Sequence, residues 1–364
     1  MKPFSITAVI AVWVCLFPAC SKDQQPESMM TSPEQTTQPD VSSYKSVKDR
    51  DIFCPDWSVW HKAQSNNRVL ECRGTDGNPI VWDNVGLATA FQGETDQAPD
   101  LVNFGNNSYI FYRGDDSDQI YYSISENDGS GCTFLWFGDV LVPGSITATS
   151  GPSAVVFGNQ LYVFTMGGDG KIYYNRSSDG VNWFANFLSI PSSVMPDYMA
   201  GREPAVAVLG GRLYVFAVRN SDDMILYTST TNGLSWGPSR YSTGEKTKTG
   251  LSAVTSGSTI ILAFTGQSSK KLYDKRATAS STPGILNFTA STHIMNAAYT
   301  PKKPDIAIAS TGKLLIAFKS NSSAKIYYVT ANNASSPWTG NIPIQDPLNT
   351  FPETTEGVGV LSTL

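Results

Sequence analysis

Charged side chains stand beside the starts of recurring apolar runs, and their chemistry depends on whether the fold brings them together. Two carboxyl groups that flank a glycosidic bond can act as acid and as base or nucleophile. If this protein is an enzyme, the catalytic candidates are Asp100, Glu203 and Asp305. For binding of a polar ligand, the candidates are Arg202, Glu203, Lys302, Lys303 and Asp100. The other interpretation of these residues, together with Glu356, is that they are solvated turn charges.

Two short acidic segments could supply oxygen ligands to Ca²⁺, which binds carboxylates and carbonyls. They are residues 114–118, read as Gly-Asp-Asp-Ser-Asp, and 221–223, read as Ser-Asp-Asp. Both lie where a hairpin turn is expected, so we interpret them as solvated turns. His61 and His293 are isolated, and no zinc-ligand spacing involves them. We therefore predict neither a metal site nor a cofactor.

The elements that would position these residues repeat along the chain. Short apolar runs begin at Pro99, Pro152, Pro204, Leu251 and Pro304, and subtraction gives intervals of 53, 52, 47 and 53 residues. A second apolar run and then an aromatic run follow each start, and glycine-rich turns separate them. A period of this length is typical of repeat architectures built from one supersecondary unit.

Each unit is expected to form four antiparallel strands, which is the blade of a β-propeller. Asn-Gly and Asp-Gly pairs supply the turns between the strands. The strands are apolar on both faces, which a blade needs because neighbours cover both of its sides. Four tryptophans are expected to pack between blades: Trp136, Trp183, Trp236 and Trp338.

The two ends of the chain are expected to complete one blade together. Residues 357–361 have the pattern of an innermost strand, whereas 69–74 and 79–82 have the pattern of second and third strands. The fold prediction is therefore an all-β propeller, with six four-stranded blades closed by the C-terminal strand on the N-terminal blade. Residues 57–62 could form a further strand that this pattern does not assign.

Two segments, 177–183 and 230–236, resemble the Asp-box turn of sialidase-like propellers, each one residue shorter than the family pattern. In that family the turn is structural, so the resemblance implies a fold rather than an activity. The early Arg-Ile-Pro of sialidases is absent. The order of strand and turn residues within the units, such as residues 204–216, also resembles that of bacterial propeller lectins of the tectonin and fucose-binding type. Residues 202–204, Arg-Glu-Pro, faintly resemble the Arg-Asp-Pro of furanosidase-type hydrolases.

The N-terminus has the pattern of an export signal. Lys2 precedes an apolar stretch over 6–17, which is too short to span a bilayer and suits a secretory signal. The stretch ends at Cys20 in a sequence that resembles a bacterial lipoprotein signal, which implies lipidation of that cysteine. We predict a signal peptide over 1–20, a flexible tether over 21–50 and a propeller domain over 51–364. The expected location is the outer membrane, on its periplasmic face or at the cell surface, with secretion as the alternative.

Three cysteines remain after the signal: Cys54, Cys72 and Cys132. In an oxidising compartment an odd number leaves one thiol over. We favour a disulfide between Cys54 and Cys72, and Cys72 with Cys132 is the alternative. Three unpaired buried cysteines are the third interpretation.

Composition narrows the function classes. The chain of 364 residues has a net charge of −5 and only 16% charged residues, without the basic stripe of a nucleic-acid binder. We predict a surface-anchored, lectin-like, monomeric protein that binds carbohydrate or a protein partner, and favour this over an enzyme. The alternative is an exo-acting glycoside hydrolase of sialidase-like or furanosidase-like type, with its carboxylates in a central funnel. A scaffold without a small ligand is a third hypothesis.

Overall fold

The structure, a computed structural model, describes residues 56–64, 67–77, 79–88, 93–127, 134–195, 201–237, 241–294, 298–345 and 351–362. Within these ranges the secondary structure consists of strands and turns, with no helix. Accordingly, the described part of the chain holds no helix long and apolar enough to cross a membrane. Cys20, Cys54 and Cys132 lie outside the described residues, so the lipidation and disulfide expectations remain predictions. Cys72 is buried in the N-terminal blade.

Within the described ranges, twenty-five strands form six separate antiparallel sheets, one for each blade of the ring. Blade 1 contains β1 (Trp57–Lys62), β2 (Val69–Thr75), β3 (Val81–Ala88) and β25 (Val358–Ser362). Blade 2 contains β4 (Asp100–Phe104), β5 (Asn107–Arg113), β6 (Ile120–Asn127) and β7 (Phe134–Leu141). Blade 3 contains β8 (Ser153–Phe157), β9 (Gln160–Met166), β10 (Ile172–Ser177) and β11 (Leu188–Ser189).

Blade 4 contains β12 (Ala205–Leu209), β13 (Arg212–Val218), β14 (Met224–Thr230) and β15 (Tyr241–Lys246). Blade 5 contains β16 (Ser252–Ser256), β17 (Thr259–Thr265), β18 (Leu272–Ala279), β19 (Leu286–Phe288) and β20 (Thr292–His293). Blade 6 contains β21 (Asp305–Ile308), β22 (Leu314–Lys319), β23 (Ile326–Ala331) and β24 (Thr339–Pro343). The prediction of an all-β propeller with six blades is confirmed. Blade 5 departs from four strands because its outer edge is divided between β19 and β20, which both pair with β18.

The C-terminal strand closes the ring as predicted. β25 pairs antiparallel with β1, so that Val360 faces Val59 in the register. The assignment of the other strands in this blade was wrong by one position. β1 (Trp57–Lys62), left unassigned above, is the second strand, and β2 is the third. The cause is that blade 1 takes its innermost strand from the far end of the chain, so no Pro-led run precedes β1.

The innermost strands of the blades contact one another around a central axis, in the cyclic order β25, β4, β8, β12, β16 and β21. Backbone N–H groups one residue into a strand meet side chains at the start of the previous inner strand, as Ala154 meets Asp100. The strand starts therefore lie at one level. We call the face where the inner strands start the upper face, and the opposite face the lower face.

Aromatic side chains pack the blades together, as the tryptophan positions predicted. Trp183 of blade 3 lies edge-on to Phe111 of blade 2, with 5.7 Å between ring centroids. One blade further on, the Trp236 indole N–H donates to the Tyr174 hydroxyl across 3.4 Å. Aromatic pairs of this geometry contribute about 0.5–1.5 kcal/mol each beyond the area they bury. The core is thus a ring of inter-blade clusters rather than one central cluster.

The turns that resemble the Asp-box cap their own backbone on the lower face. The Asp179 carboxylate accepts hydrogen bonds from the backbone N–H groups of Val181 and Asn182, at 2.9 and 2.7 Å. Gly180 in this turn has a φ of 79°. A Cβ at Gly180 would lie 2.0 Å from the Tyr109 hydroxyl oxygen of blade 2, so glycine is required there for contact between blades.

Candidate functional site

A residue one or two positions before each innermost strand faces the axis near the upper face. Around the ring these residues are Ala98, Gly151, Glu203, Gly250, Lys303 and Gly357. Four of them are small, and the two long charged side chains occupy the space that the small residues leave. A Cβ at Gly250 would lie 2.1 Å from Oε2 of Glu203, so the carboxylate lies directly over that glycine. The chain thus builds an axial cluster, defined here as Asp100, Glu203, Lys303 and Asp305.

Backbone donors and one ammonium group hold the axial carboxylates. Asp100 accepts from the N–H of Ala154 at 2.6 Å, and Asp305 accepts from the N–H of Val360 at 2.7 Å. Each of these bonds joins one blade to the next, and the second one crosses the closure of the ring. The Lys303 Nζ lies 3.8 Å from Asp305 Oδ1.

Burial dominates the electrostatics of this cluster, because all four side chains are at most 8% exposed. Burial raises the pKa of Asp100 to about 7, and it also raises the pKa of Glu203 and of Asp305. Burial alone would lower the pKa of Lys303. The three facing carboxylates outweigh that effect, so its pKa lies above the usual value. Lys303 is therefore a cation shared by three acids.

The structure brings together four of the sequence candidates and leaves two on the rim. Lys302 forms an ion pair with Glu356 at 2.7 Å, and both side chains are partly exposed. Arg202 is half-buried and close enough to affect the charge of Glu203. Below the cluster lies an axial cavity of about 220 Å³, lined by inner-strand residues from Asp100 to Ser362. The candidates thus converge, but as a buried cluster above a narrow cavity rather than around an open funnel.

In each acidic turn considered for calcium, one aspartate forms an ion pair with an arginine of its own blade. Arg113 forms ion pairs with Asp118 and, across 2.5 Å, with Asp96. Arg219 likewise pairs with Asp222 at 2.6 Å. Among the residues that the structure describes, no group of three or more His, Cys, Asp and Glu side chains is arranged to hold a metal ion.

The upper face carries a second set of polar and aromatic residues, at the junctions between blades. At five junctions, the backbone N–H two residues after the second strand donates to a carbonyl of the connection between the blades. These bonds are Gln64 to Glu353, Asp115 to Glu94, Gly168 to Thr147, Gln267 to Lys246 and Asn321 to Tyr299, all 3.0–3.2 Å. The connection before blade 4 includes residues outside the described ranges. We call each of these places an upper notch.

A half-buried tyrosine stands beside four of the upper notches, at the second residue of the third strand. These residues are Tyr121, Tyr173, Tyr273 and Tyr327. In three blades the ring edge lies against a turn glycine, namely Gly114, Gly167 or Gly266, where a Cβ would come within 2.8 Å of a ring carbon. Glycine is required at these turns because the ring occupies the space of a side chain.

The upper notch between blades 2 and 3 opens into a cavity of about 460 Å³. Its wall is the Tyr173 ring, whose hydroxyl donates to Asp169 Oδ2 at 3.1 Å. The Lys171 ammonium donates to the same oxygen at 2.6 Å. Residues 145–147 and 167–168 form the rest of the lining. This notch therefore offers a fixed aromatic face beside charged and neutral hydrogen-bonding groups.

Sequence reasoning missed these tyrosines as site candidates, although a signal was present. In the doublets Tyr121-Tyr122 and Tyr173-Tyr174, neighbouring residues must point to opposite sides of the strand. The second tyrosine of each doublet is buried, and the first is only partly covered. The recurrence of the doublet in the third strand could have identified a surface series of rings.

Comparisons with known proteins give the fold but no family. No protein-family model matches the chain, and no curated protein matches it. Solved structures do match in fold. A mutant of AofleA from Arthrobotrys oligospora has a TM-score of 0.60 at 12% identity, over 85% of this chain and 87% of that one.

Two further lectin structures are similar to this chain. The fucose-specific lectin from Aleuria aurantia has a TM-score of 0.57 at 14% identity, over 80% of this chain and 91% of that one. SapL1 lectin in complex with alpha methyl fucoside has a TM-score of 0.54 at 14% identity, over 80% and 93%. Another structure of the Aleuria aurantia lectin is described as a six-bladed β-propeller with a fucose recognition mode. At these identities the likeness establishes a shared six-bladed propeller architecture.

Proposed function

We propose that this protein is a carbohydrate-binding, lectin-like propeller and that its upper notches are the binding sites. The observation that carries the proposal is the recurrence of a half-buried tyrosine beside a notch at four junctions. A repeated arrangement of accessible groups suits a repeated or branched ligand, because several weak contacts then add up.

The chemistry of a notch suits a sugar. A pyranose presents C–H groups on one side and hydroxyl groups at its edges. An aromatic ring beside directional polar groups matches both features, since ligand sites combine apolar walls with a few placed polar groups. In the notch between blades 2 and 3, Tyr173 offers the ring, and Asp169 and Lys171 offer an acceptor and a donor. The similar lectins named above support this ligand class, and fucose is the first sugar to test.

We assign the axial cluster a structural role rather than catalysis. A hydrolase needs a carboxylic acid and a carboxylate that both reach the glycosidic bond. Asp100 and Asp305 are instead occupied by N–H groups of neighbouring blades, and Glu203 is only 7% exposed. This geometry favours binding over hydrolysis.

We also propose that the protein is anchored through Cys20 with its upper face directed away from the membrane. The described chain enters the ring at Asp56, whose N–H donates to the carbonyl of Gly74, at the end of β1 that lies on the lower face. We propose that residues 21–50 act as a tether, and a flexible chain of that length would have a root-mean-square reach on the order of 30 Å. Attachment at the lower face would leave the upper notches open to glycans on another surface.

A glycan array probed with the purified, fluorescently labelled protein tests the binding proposal. We expect a set of related glycans to bind, and Tyr→Ala substitution at Tyr121, Tyr173, Tyr273 and Tyr327 together to weaken the signal at least tenfold. Phe184→Ala is the matched control, because it removes an aromatic ring that is 49% exposed away from the notches. An array without any bound glycan, or binding whose strength the fourfold change leaves undiminished, would refute the proposal. Metabolic labelling with a radioactive fatty acid, with Cys20→Ser as control, tests the anchor.

A further inference from the structure

The lower face carries its own series of junctions, and one of them differs from the others. Two positions of each blade face the next blade there: the residue at the start of the second strand, and a residue near the end of the third strand. In five blades a cation occupies one of the two positions, and these cations are Arg73, Arg176, Arg212, Arg276 and Lys313. Blade 2 has Asn107 and Ile124, both among the described residues, and therefore has no cation at either position.

These cations place long charged side chains at the lower face, in contact with their own blade or with the next one. Arg176 Nη1 donates to Gln160 Oε1 at 3.0 Å, and its guanidinium lies 4.4 Å from the centre of the Phe184 ring. Lys313 reaches the turn between β2 and β3 of blade 1, where it pairs with Asp76 and donates to the carbonyl of Gly77 at 3.1 Å. Lys313 thereby bridges blades 6 and 1, whereas the contacts of Arg176 lie within blade 3.

The other three cations have partners of their own. Arg212 donates to Ser229 Oγ at 3.5 Å beside Gly284 of blade 5. Arg73 and Arg276 pair with the buried acids Glu71 and Asp274, at 3.0 and 2.9 Å.

The junction between blades 2 and 3 remains open because its two side chains are short. Asn107 bonds to the Tyr109 hydroxyl, and Ile124 packs into the inter-blade core. A cavity of about 460 Å³ lies here, and Phe104, Asn106, Asn159 and Asp179 are among its lining residues. We call this cavity the lower pocket. It is separate from the upper notch of the same two blades, since the pocket lies at the opposite ends of their strands.

The lining of the lower pocket selects the kind of ligand. Asp179 repels anions, and its two oxygens already accept from two backbone N–H groups, the Asn182 amide and the Ser177 hydroxyl. A cation would have to displace these donors. The exposed amides of Asn106 and Asn159 both donate and accept, as hydroxyl groups do, and the half-buried Phe104 ring adds an apolar wall.

We propose that the lower pocket is a second binding site, which takes a neutral polyhydroxylated ligand of the size of one or two sugar units. This site goes beyond the function proposed for the upper notches and does not depend on it. The lower pocket is open because blade 2 lacks a cation at either junction position. The protein would then bind glycans on both faces, with one lower site between blades 2 and 3.

The test restores the missing cation. Asn107→Arg copies Arg212 of blade 4, and Asn107→Gln copies the neutral Gln160 of blade 3 as the matched control. The probes are the methyl glycosides of fucose, galactose, glucose and mannose, observed by saturation-transfer NMR on the full-length protein. The background is the fourfold Tyr→Ala variant of the upper notches. We expect at least one probe to bind this background, and Asn107→Arg to weaken that binding at least tenfold while Asn107→Gln changes it less than threefold.

Asn106→Trp provides a second way to block the pocket from an exposed turn position, and near-ultraviolet circular dichroism verifies that each variant is folded. The lower site is overturned if no probe binds the notch-deficient background, or if binding there is unaffected by both blocking variants. If wild-type binding disappears with the tyrosines alone, the upper notches stand and the lower site falls. If Asn107→Arg alone removes all binding, the lower site stands and the notch proposal falls.

Discussion

The axis and the upper notches are built from the same six-fold repeat. Polar side chains are buried at the axis, whereas they are partly exposed at the notches. At the axis, the residues before the inner strands face one another, so two long side chains fill the space and become buried. At the notches, which lie between the blades, a tyrosine ring remains half-buried beside each of four notches. Position along the radius therefore decides whether a repeated polar residue holds the ring together or is available to a ligand.

The largest expected effect is the loss of the shared cation at the axis. Lys303→Ala leaves three buried carboxylates without their ammonium partner, and removal of one member of a buried ion pair costs about 3–5 kcal/mol. We expect the free energy of unfolding, measured with urea at pH 7, to fall by that amount. Lys302→Ala is the control, because its exposed pair with Glu356 contributes about 0–1 kcal/mol. Equal effects of the two substitutions would contradict the difference drawn between axis and rim.

The pH dependence of stability is the next largest effect and has its cause at the axis. Burial raises the pKa of Asp100 to about 7, so the folded state retains a proton that the unfolded chain releases near pH 4. Stability from this group is complete below the unfolded value and is lost as the pH rises through 7. At about 1.4 kcal/mol for each pH unit between pH 5 and the folded pKa, we expect the free energy of unfolding to fall by about 2–3 kcal/mol from pH 5 to pH 8. Asp100→Asn should flatten this slope, and an unchanged slope would exclude Asp100 as its source.

The sequence predicted the ring because its evidence is periodic. Five apolar runs that begin with Pro or Leu predict the innermost strands of five blades. The run at 357–361 predicts the strand that closes the ring. β1 was not assigned because its innermost partner, β25, lies about 300 residues away in the sequence, so local order carries no information about its place.

The candidate site was only half accessible to sequence reasoning. The convergence of Asp100, Glu203, Lys303 and Asp305 follows from their equivalent places in the repeat. Their burial follows from four small residues at the same level, such as Gly151 and Gly250, because these leave space near the axis that the long side chains occupy. The cation missing from the lower junction of blade 2 became visible only when the strand register aligned Ile124 with Arg176.

At the notches, a single ring should account for about a tenfold change in affinity at its own site. Tyr173→Ala removes the aromatic wall between blades 2 and 3. A tenfold higher dissociation constant corresponds to a loss of about 1.4 kcal/mol of binding free energy. Tyr173→Phe keeps the ring and loses only the hydroxyl that donates to Asp169, so we expect a change of less than about threefold, or 0.7 kcal/mol. Titration calorimetry with the strongest ligand from the array measures both. If the two variants are equally weak, the hydroxyl rather than the ring binds the sugar.

The smallest effect concerns a carboxylate on the lower rim and has the opposite sign to that of the axis. Hydrogen bonds from the Asn182 side chain and from the backbone N–H groups of Asn182 and Val181 hold the pKa of Asp179 well below its usual value. Its contribution is therefore present above the unfolded pKa and is lost as the pH falls through the folded one. Asn232 makes the same two backbone contacts in blade 4 without a charge. We expect Asp179→Asn to reduce the fall in melting temperature between pH 5 and pH 3, measured by circular dichroism, and Asn232→Asp to enlarge it. If both substitutions instead shift the melting temperature equally at the two pH values, the charge of the capping residue is irrelevant. The pH dependence of stability would then come from the buried acids of the axis and not from Asp179.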